Sequence, residues 1–582
     1  MRRKTKSRML LINPAQEKFG GFLSRYVPVG IPVAIGCLAA YLEKHDIPVN
    51  VVDEEIVSIT PSVLRDLVEG LEKPYMFGLS CLTAHVVRGY QLAAMIKAEF
   101  PDSTVVAGGL HPTALPDEAL DTGHVDYVVR GEGEEVLLRL HNALRGGEDP
   151  SKLKGISFRR DGQIVNNPEA PLIPELDDIP IFPYELFENP KYDMGFITSS
   201  RGCPYKCTYC SQRMLTGTTY RYKSAERIVE ELSVLINRYG QTQIVFYDDN
   251  FCFKAKRVIE VCQTIMAAGL HKKCAFSVQT RADNFPPDLV PILAEAGFKH
   301  AGFGMETGVN RLAKLIGKGE TVEQHLAAVE LGKKHGFSMS LFMIFGLPTE
   351  TAEERQISYR VVQGAKVQSS KYNNLIPYPG TPIYTDLKAS NRIHVEPAWS
   401  NFNSTLSVTR SIFDKTPLPY VPETTSEFEL KRDIIKYNLR TYVTPRALLA
   451  ILLGEKGSGW YHLPPRWYFK PRELYHVARI GVTVALNMAV AFLPLWVTEP
   501  VMNALSPAMK RRPRVRNYAP DTFHASSWDK DTAKQKTVTL KAAIEERRAT
   551  GRVTLELATI GEPGHGTDRA VPALAVTEEA PR

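Results

Sequence analysis

The chain has 582 residues, of which 44% are hydrophobic and 23% charged, with a formal net charge of +7 and eight cysteines. A soft prior of roughly 100–200 residues per domain indicates several domains, because one hydrophobic core cannot serve this length. The cysteines are too few for a disulfide scaffold, and a modest charge with basic residues clustered near 510–516 excludes the broad basic face of a nucleic-acid-binding protein.

The first residues, MRRKTKSRMLLINP, carry a basic flank, but their apolar run extends only from Met9 to Ile12. A secretory signal peptide needs a longer apolar core. We therefore expect a cytoplasmic protein, and the sparse cysteines agree with a reducing compartment.

Residues 1–148 alternate short β-branched runs with amphipathic helical stretches. Buried parallel strands are predicted at 9–12, 49–52, 75–80, 103–109 and 125–129. Helices are predicted between them at 33–44, 85–99 and 133–145. This alternation predicts an α/β domain with a doubly wound, Rossmann-like sheet.

Residues 149–192 predict a small hairpin with an Asp-Gly turn, followed by a proline-rich connector. A larger alternation occupies residues 193–400, where strands are predicted at 196–199, 243–247, 275–280, 300–304, 338–345 and 371–375. Six strand–helix units indicate a partial (β/α)6 barrel, whose site would lie at the carboxyl ends of its strands.

Residues 401–516 predict a mainly helical region, and 517–582 a polar, largely disordered tail. Within the helical region, residues 480–497 carry no charge but contain Pro494, and a spanning helix needs about 20 apolar residues. Aromatic residues at 460–471 and a basic cluster at 510–516 flank this segment, as at a membrane interface. Packing against the protein core and contact with a membrane surface both remain open.

Three cysteines, Cys203, Cys207 and Cys210, follow the first predicted barrel strand in the stretch SSRGCPYKCTYC. Three thiolates at this spacing can bind three irons of a 4Fe–4S cluster and leave the fourth iron open, whereas electron-transfer clusters usually have four cysteine ligands. A structural zinc site wants four ligands, and a disulfide leaves one cysteine over. The loop therefore predicts an open-cornered cluster.

The stretch CPYKCTYC resembles the signature of the radical S-adenosylmethionine (radical SAM) superfamily, with Tyr209 at its aromatic position. The resemblance covers residues 195–385. It implies that the open iron binds S-adenosylmethionine, which reduction cleaves to methionine and a 5′-deoxyadenosyl radical that abstracts hydrogen from the substrate.

The resemblance also implies contacts to S-adenosylmethionine after other strands. FMIFGLPTE resembles the adenine-binding stretch, matching at Ile344, Gly346 and Glu350 but carrying Phe342 at the first glycine position. FGMETG supplies the carboxylate of Glu306. In YDDNF, Asp248, Asp249 and Asn250 are alternatives for the methionine amino group, with Asp249 as the representative. Arg281 could meet a carboxylate or form a structural ion pair.

The first domain resembles the cobalamin-binding domains that precede many radical SAM enzymes. Ser80 and Leu82 match the S-x-L mark, and Gly108 and Gly109 match the Gly-Gly mark. The D-x-H-x-x-G mark is missing, because NPAQEKFGG offers no histidine, so a lower histidine ligand to cobalt is not expected from that loop. We interpret His111 as a packing or tail contact.

These resemblances imply a 4Fe–4S cluster, S-adenosylmethionine and cobalamin as cofactors. They imply methyl transfer to an unactivated carbon of a lipid-like or other large hydrophobic substrate, as in hopanoid methylases. Oxidative cyclisation, as in the anaerobic magnesium-protoporphyrin monomethyl ester cyclase, is the alternative within the class. A non-enzymatic cobalamin sensor and an iron–sulfur electron carrier are alternatives outside it. Expected partners are a flavodoxin or ferredoxin as electron donor and a membrane surface on the cytoplasmic side, with no nucleic acid.

Overall fold

The structure is a computed structural model that describes residues 9–15, 29–395, 399–403, 412, 416–442 and 471–505. Three features singled out in the sequence lie outside the described residues: the aromatic stretch at 460–470, the basic cluster at 510–516 and the tail at 517–582.

The described residues form strands and helices whose bounds follow in chain order. The strands are β1 (Met9–Asn13), β2 (Val29–Gly30), β3 (Val49–Asp53), β4 (Met76–Ser80), β5 (Thr104–Gly108), β6 (Tyr127–Val129), β7 (Ile156–Arg160), β8 (Gln163–Asn166), β9 (Tyr192–Asp193), β10 (Phe196–Ile197), β11 (Ser200–Arg201), β12 (Arg221–Tyr222), β13 (Gln243–Phe246), β14 (Ala275–Thr280), β15 (Phe298–Glu306), β16 (Ser338–Phe345) and β17 (Ser369–Asn374). The helices are α1 (Val33–Lys44), α2 (Pro61–Val68), α3 (Val86–Glu99), α4 (Leu110–Ala114), α5 (Pro116–Asp121), α6 (Gly133–Gly146), α7 (Arg213–Thr216), α8 (Ala225–Ser233), α9 (Ala255–Ala267), α10 (Val290–Glu295), α11 (Asn310–Leu315), α12 (Val322–Lys334), α13 (Ala352–Gly364), α14 (Pro382–Ala389), α15 (Glu427–Tyr442), α16 (Pro471–Phe492) and α17 (Leu495–Leu505).

The first sheet has the strand order β3-β1-β4-β5-β6-β7-β8, and its first five strands are parallel. Both faces of β1 are buried: Met9 and Leu11 face one hydrophobic cluster, while Leu10 and Ile12 face another. Apolar residues on both faces are what a parallel sheet covered by helices requires. The order reverses between β1 and β4, so the predicted doubly wound sheet is confirmed.

The hairpin predicted in residues 149–192 is formed by β7 and β8. Asp161 and Gly162 both have positive φ, of 50° and 77°, as the tight hairpin turn needs. β7 pairs antiparallel with β6, so the hairpin extends the first sheet by two strands.

The second sheet has the order β10-β13-β14-β15-β16-β17, and every pairing in it is parallel. Its strands follow one another in sequence, which is the arrangement of an open, partial barrel. Aromatic side chains fill one end of its core, with ring centroids of Phe246 and Phe298 5.4 Å apart and those of Phe276 and Phe298 also 5.4 Å apart. The predicted six-stranded barrel is therefore confirmed.

An incomplete barrel leaves an edge strand, here β17, whose backbone polar groups need partners. Helix α15 covers this edge through Asn438, which is fully buried. Its Nδ2 donates to the Tyr372 carbonyl (2.8 Å), and its Oδ1 accepts from the Tyr372 N–H (3.2 Å). One side chain thus replaces the missing neighbouring strand at this residue.

The apolar segment at 480–497 spans two helices, α16 and α17, with the break at Leu493 and Pro494. One side of these helices packs on α15, where Ala491 and Met502 join Ile435 in a buried cluster. Among the described helices, none combines the length and the hydropathy that a bilayer-spanning segment requires.

The edge closure predicts that Asn438→Ala weakens the barrel locally, because it strips two buried backbone groups of their partners. We expect the free energy of opening at the Tyr372 amide to fall by about 2–4 kcal/mol, measured by native-state hydrogen exchange. Asn237→Ala, at an exposed asparagine that bonds Lys273, is the control and should leave that amide unchanged. Equal protection of Tyr372 in both variants would contradict the closure.

Candidate active site

The cysteine loop lies directly after β10, at the carboxyl edge of the barrel, and is closed at its base by the ribbon of β11 and β12. Cys203, Cys207 and Cys210 are free thiols that lie within electrostatic reach of one another. Burial raises the pKa of the Cys210 thiol to about 12 and also raises that of Cys203. Three cysteine thiols on one short loop, each able to bind one iron as its thiolate, are a donor set that fits a 4Fe–4S cluster with one open corner.

No three His, Cys, Asp or Glu side chains of the described residues converge closely enough for a single metal ion. A 4Fe–4S cluster has a different requirement, because each cysteine binds its own iron. The three thiols meet this requirement by their number and by their place on one loop.

Asp248 fixes the start of the cysteine loop. Its carboxylate accepts hydrogen bonds from the Ser199 N–H (2.6 Å), the Ser199 hydroxyl (2.5 Å) and the Ser200 hydroxyl (2.7 Å). The Arg257 guanidinium donates to the Ser199 carbonyl (3.0 Å) and lies 3.9 Å from Asp248. Both oxygens of the Asp248 carboxylate are thus engaged in holding the loop. Asp249 and Asn250 are therefore the better candidates within YDDNF for contact with the methionine amino group.

Asp249 and Asn250 also lie beside the loop but have different partners. Asp249 accepts from the Gln212 amide (3.0 Å) and the Thr216 hydroxyl (3.2 Å), both of which follow Cys210. Burial raises the pKa of Asp249. Asn250 is fully buried and bonds Asn284 and Thr280. A contact from Asp249 to S-adenosylmethionine stays a prediction.

Glu306 ends β15 in a strained backbone conformation, with φ of 67°. The register with β16 shifts between Gly304 and Glu306, and the Glu306 carboxylate accepts a hydrogen bond from the Tyr209 hydroxyl (2.9 Å). A left-handed, buried, non-glycine residue costs free energy and is found mostly at functional sites. The structure thus brings together two predicted residues that are 97 positions apart.

Sequence reasoning missed Lys318 and Glu320, which complete this cluster. The buried Lys318 ammonium lies 3.8 Å from the Glu306 carboxylate and 3.3 Å from that of Glu320. Arg281 pairs with Glu320 (3.4 Å) and Asp283 (2.7 Å), so the structural ion pair considered for it is present. A lysine beside a glycine turn gives no local signal, and only the fold shows that residues 316–320 pack on the cysteine loop.

The GLPTE stretch after β16 is stabilised by a hydrogen bond between two of its own residues. Gly346 has φ of 81°, and a Cβ built on it would lie 2.8 Å from Leu430 of α15. The Gly346 N–H donates to Glu350 (2.5 Å), whose side chain is fully buried, and burial raises the pKa of Glu350 to about 8. Ile344 is half-buried and packs with Tyr209 against one hydrophobic cluster. Ile344 thus borders the Tyr209 side of the site, whereas Gly346 and Glu350 brace the turn.

The residues predicted to bind cobalamin lie at the carboxyl edge of the first sheet. Ser80 ends β4 and Gly108 ends β5, and these two residues pair in register. Leu82 is 46% exposed at this edge, an apolar side chain beside a hydroxyl and a glycine. A Cβ on Gly108 would meet no atom closer than 3.5 Å. At Gly109, by contrast, a side chain is excluded, because φ is 96° and an added Cβ would lie 2.7 Å from the Cys81 carbonyl oxygen. This edge fits a large, partly apolar ligand.

His111 is fully buried behind the Gly-Gly turn. Its Nε2 lies 3.1 Å from Glu118, its Nδ1 lies 3.3 Å from the Thr83 hydroxyl, and its ring contacts that of Trp399. Both ring nitrogens of His111 thus have polar partners within the first domain. The loop that lacks the usual histidine lies largely in residues 16–21, outside the described ranges.

The bond between Tyr209 and Glu306 predicts that Gly304→Ala impairs cofactor binding. A Cβ at Gly304 would lie 2.4 Å from the Glu306 carboxylate oxygen, so the carboxylate must move. We expect S-adenosylmethionine to bind about tenfold more weakly, as for loss of one charged hydrogen bond, with iron content unchanged. Equilibrium dialysis and iron analysis measure both. Gly364→Ala, where a Cβ meets nothing within 4 Å, is the control, and equal affinities in both variants would refute this role.

Comparison with known proteins matches two family models to this chain: the radical SAM superfamily over residues 197–362 and the B12 binding domain over residues 23–141. An uncharacterized methyltransferase of Pyrococcus horikoshii is 29% identical over 77% of this chain and 95% of its own length. The anaerobic magnesium-protoporphyrin IX monomethyl ester cyclase of Rubrivivax gelatinosus is 27% identical over 65% of this chain and 70% of its own.

Among solved structures, the radical S-adenosylmethionine methyltransferase TsrM of Kitasatospora setae superposes with a TM-score of 0.58 at 20% identity, covering 66% of this chain and 76% of that one. This likeness concerns the fold. The two matched models, together with the cysteine loop, lead to one assignment: the chain is an enzyme of the radical SAM class with an amino-terminal B12 binding domain, and these domains imply a 4Fe–4S cluster, S-adenosylmethionine and cobalamin as its cofactors.

Proposed function

We propose that this enzyme transfers a methyl group to an unactivated carbon of a lipid-like or other large hydrophobic substrate. The observation that carries the proposal is the Tyr209–Glu306 bond, which joins the cysteine loop to the carboxyl end of β15 inside a buried site. The methyltransferase of Pyrococcus horikoshii, matched over most of its length, supports methyl transfer as the outcome.

In this proposal, Cys203, Cys207 and Cys210 would hold the cluster, which would supply the electron for cleavage of S-adenosylmethionine, and the first domain would hold cobalamin as the carrier of the methyl group. Glu306 and Lys318 hold the polar groups of S-adenosylmethionine, and the half-buried Ile344 borders its adenine. Burial raises the pKa of the Glu306 carboxyl, and the Lys318 ammonium opposes this by favouring the charged form.

Polar atoms without partners at the end of β17 support a ligand site there. The side-chain carbonyl oxygens of Asn373 and Asn374 are buried, and neither has a hydrogen-bond partner among the described residues. Unsatisfied buried acceptors are costly, so a donor group of a bound molecule is the natural partner. The proline-rich stretch that follows, at 375–384, packs Ile376 and Tyr384 against the core of the first domain. We assign this stretch to the wall of the substrate cavity.

The cyclase of Rubrivivax gelatinosus favours a second candidate, oxidative ring closure on a similarly large substrate. The two candidates share the cleavage of S-adenosylmethionine and differ in the product. Methyl transfer adds one carbon to the substrate, and cyclisation adds none.

We also propose that the enzyme works at a membrane surface on its cytoplasmic side and receives electrons from a flavodoxin or ferredoxin. The outer face of α16 and α17 exposes large apolar side chains: Val482, Leu486, Phe492, Leu493, Trp496 and Val501. The sequence continues into the basic residues at 510–516, which suit an anionic leaflet. This placement would give the enzyme access to a lipid-like substrate.

Anaerobic reconstitution tests the reaction class. The reduced protein should convert S-adenosylmethionine to 5′-deoxyadenosine, and Cys207→Ala should abolish both this product and the cluster absorbance, because a cluster held by two cysteines is lost. Cys262→Ala, at a buried cysteine outside the loop, is the control and should retain both. Cleavage without added carbon in products from cell extract would favour cyclisation. No cleavage by the cluster-loaded protein would overturn the proposal.

Flotation with anionic phosphatidylglycerol vesicles tests the membrane surface. The intact chain should float with the vesicles, and Phe492→Gln with Trp496→Gln should weaken binding by about tenfold or more, since burying each apolar side chain contributes roughly 1.5–3 kcal/mol. Trp496 is 80% exposed, so this change should not disturb the core. Ile357→Gln, at an exposed residue of α13, is the control. Equal flotation of all three proteins would reject a role for this face.

A further inference from the structure

Four charged side chains join the first domain to the base of the cysteine loop. Glu132 precedes α6 and Glu134 lies in its first turn, just after β6 of the first sheet. Arg201 on β11 and Arg221 on β12 are direct partners in the ribbon that closes the loop. We call these four residues the neck cluster. Arg201 stands two positions before Cys203, the first cysteine of the loop.

The contacts within the neck cluster all cross from the first domain to the ribbon. Arg221 donates to both oxygens of Glu132 (2.8 and 2.9 Å). Arg201 donates to Glu132 (3.2 Å) and Glu134 (2.6 Å). Arg221 also donates to the carbonyl of Thr216 (2.7 Å), inside the loop. Glu132 therefore bridges two arginines, and one of them reaches into the loop itself.

Because the four side chains are largely buried, breaking one of their ion pairs destabilises the protein more than breaking an exposed ion pair would. The exposed fractions of the side chains are 18% for Arg201, 6% for Arg221, 4% for Glu132 and 5% for Glu134. Like charges directly opposite each other on paired strands are destabilising. Removing one partner of a buried pair also leaves a charge without compensation. Among the described residues, the carboxylates that pair with these two arginines all belong to the first domain, so the ribbon depends on that domain.

At the base of the cysteine loop, the backbone of Gly202 packs closely against that of Thr219. Gly202, with φ of 88°, lies so close to Thr219 that an added Cβ would stand 2.2 Å from the Thr219 carbonyl oxygen. A change in the separation or angle of β11 and β12 is therefore transmitted directly to Cys203. Glu132 also accepts from the Ile173 N–H (2.9 Å), which ties the connector between the domains to the same point.

We propose that Glu132 and Glu134 are positioning residues for the iron–sulfur cluster, through which the cobalamin-binding domain sets the place of the cysteine loop. The two cofactor sites are then coupled through the neck cluster as well as through the domain interface. A neutral side chain at Glu132 should loosen the cysteine loop, although the substitution lies in the other domain.

Hydrogen exchange on the full chain, compared between Glu132→Gln and Glu135→Gln, tests this coupling. Glu135 is the neighbouring carboxylate on α6 and pairs with Arg139 and Tyr41 inside the first domain, so it controls for loss of one charge at the same helix terminus. We expect exchange over residues 202–220 to rise about tenfold or more in Glu132→Gln alone, because only that substitution leaves buried arginines uncompensated. Glu134→Gln weakens only the contact between Arg201 and residue 134, so hydrogen exchange over the same segment should rise by less.

A second measurement separates positioning from general stability. In the chain loaded with both cofactors, pulsed EPR between cob(II)alamin and the reduced cluster should give a narrow distance distribution, which Glu132→Gln should broaden. Adding Arg221→Met to Glu132→Gln leaves one arginine facing one carboxylate, so exchange in the loop should fall back toward the original value.

Three outcomes would overturn the proposal: equal exchange in Glu132→Gln and Glu135→Gln, a rise spread evenly over the barrel, or an unchanged distance distribution. None of these depends on which reaction the enzyme catalyses, so cleavage of S-adenosylmethionine stands or falls separately.

Discussion

The structure depends on keeping three thiols, one buried and two half-buried, on one short loop in a shape that a metal cluster can bind. Burial raises the pKa of the Cys203 and Cys210 thiols, and a bound metal favours the thiolate form of its cysteine ligands. The loop contains little regular structure of its own beyond the short helix α7. Its shape must therefore come from contacts with surrounding elements, and the charged residues of this region supply those contacts.

The contacts reach the loop from three sides. Asp248 and Arg257 hold the residues before Cys203, and the neck cluster holds the ribbon below it. On the third side, the Thr208 N–H donates to the Ile316 carbonyl (2.9 Å), next to the segment that carries Lys318. Each of these anchors pairs a residue of the loop or its base with a residue distant in sequence. The loop is thus held in place by the fold around it, which is the condition for a preorganised cofactor site.

The sequence alone predicted both sheets, the six barrel strands and the cysteine loop, because hydrophobic periodicity and cysteine spacing are local signals. It could not reveal Asn438, Lys318 or Glu132. Asn438 matters because β17 is an edge, Lys318 because a turn packs on the cysteine loop, and Glu132 because another domain lies against the ribbon. Each role is created by a contact between segments far apart in the chain, so no pattern around the residue itself indicates it.

Glu306 was predicted because FGMETG resembles a segment of the radical SAM family, and the structure adds a physical reason for the glycine in that segment. The carboxylate folds back over Gly304 only because that residue has no Cβ, and the backbone at Glu306 takes a left-handed conformation to do so. Gly304 is therefore a physical requirement of this geometry, which the resemblance of FGMETG did not by itself explain. Lys318 reaches the same carboxylate with a long flexible side chain that imposes no such requirement on its neighbours. Contacts made through a long charged side chain, such as that of Lys318, thus become visible only in the fold.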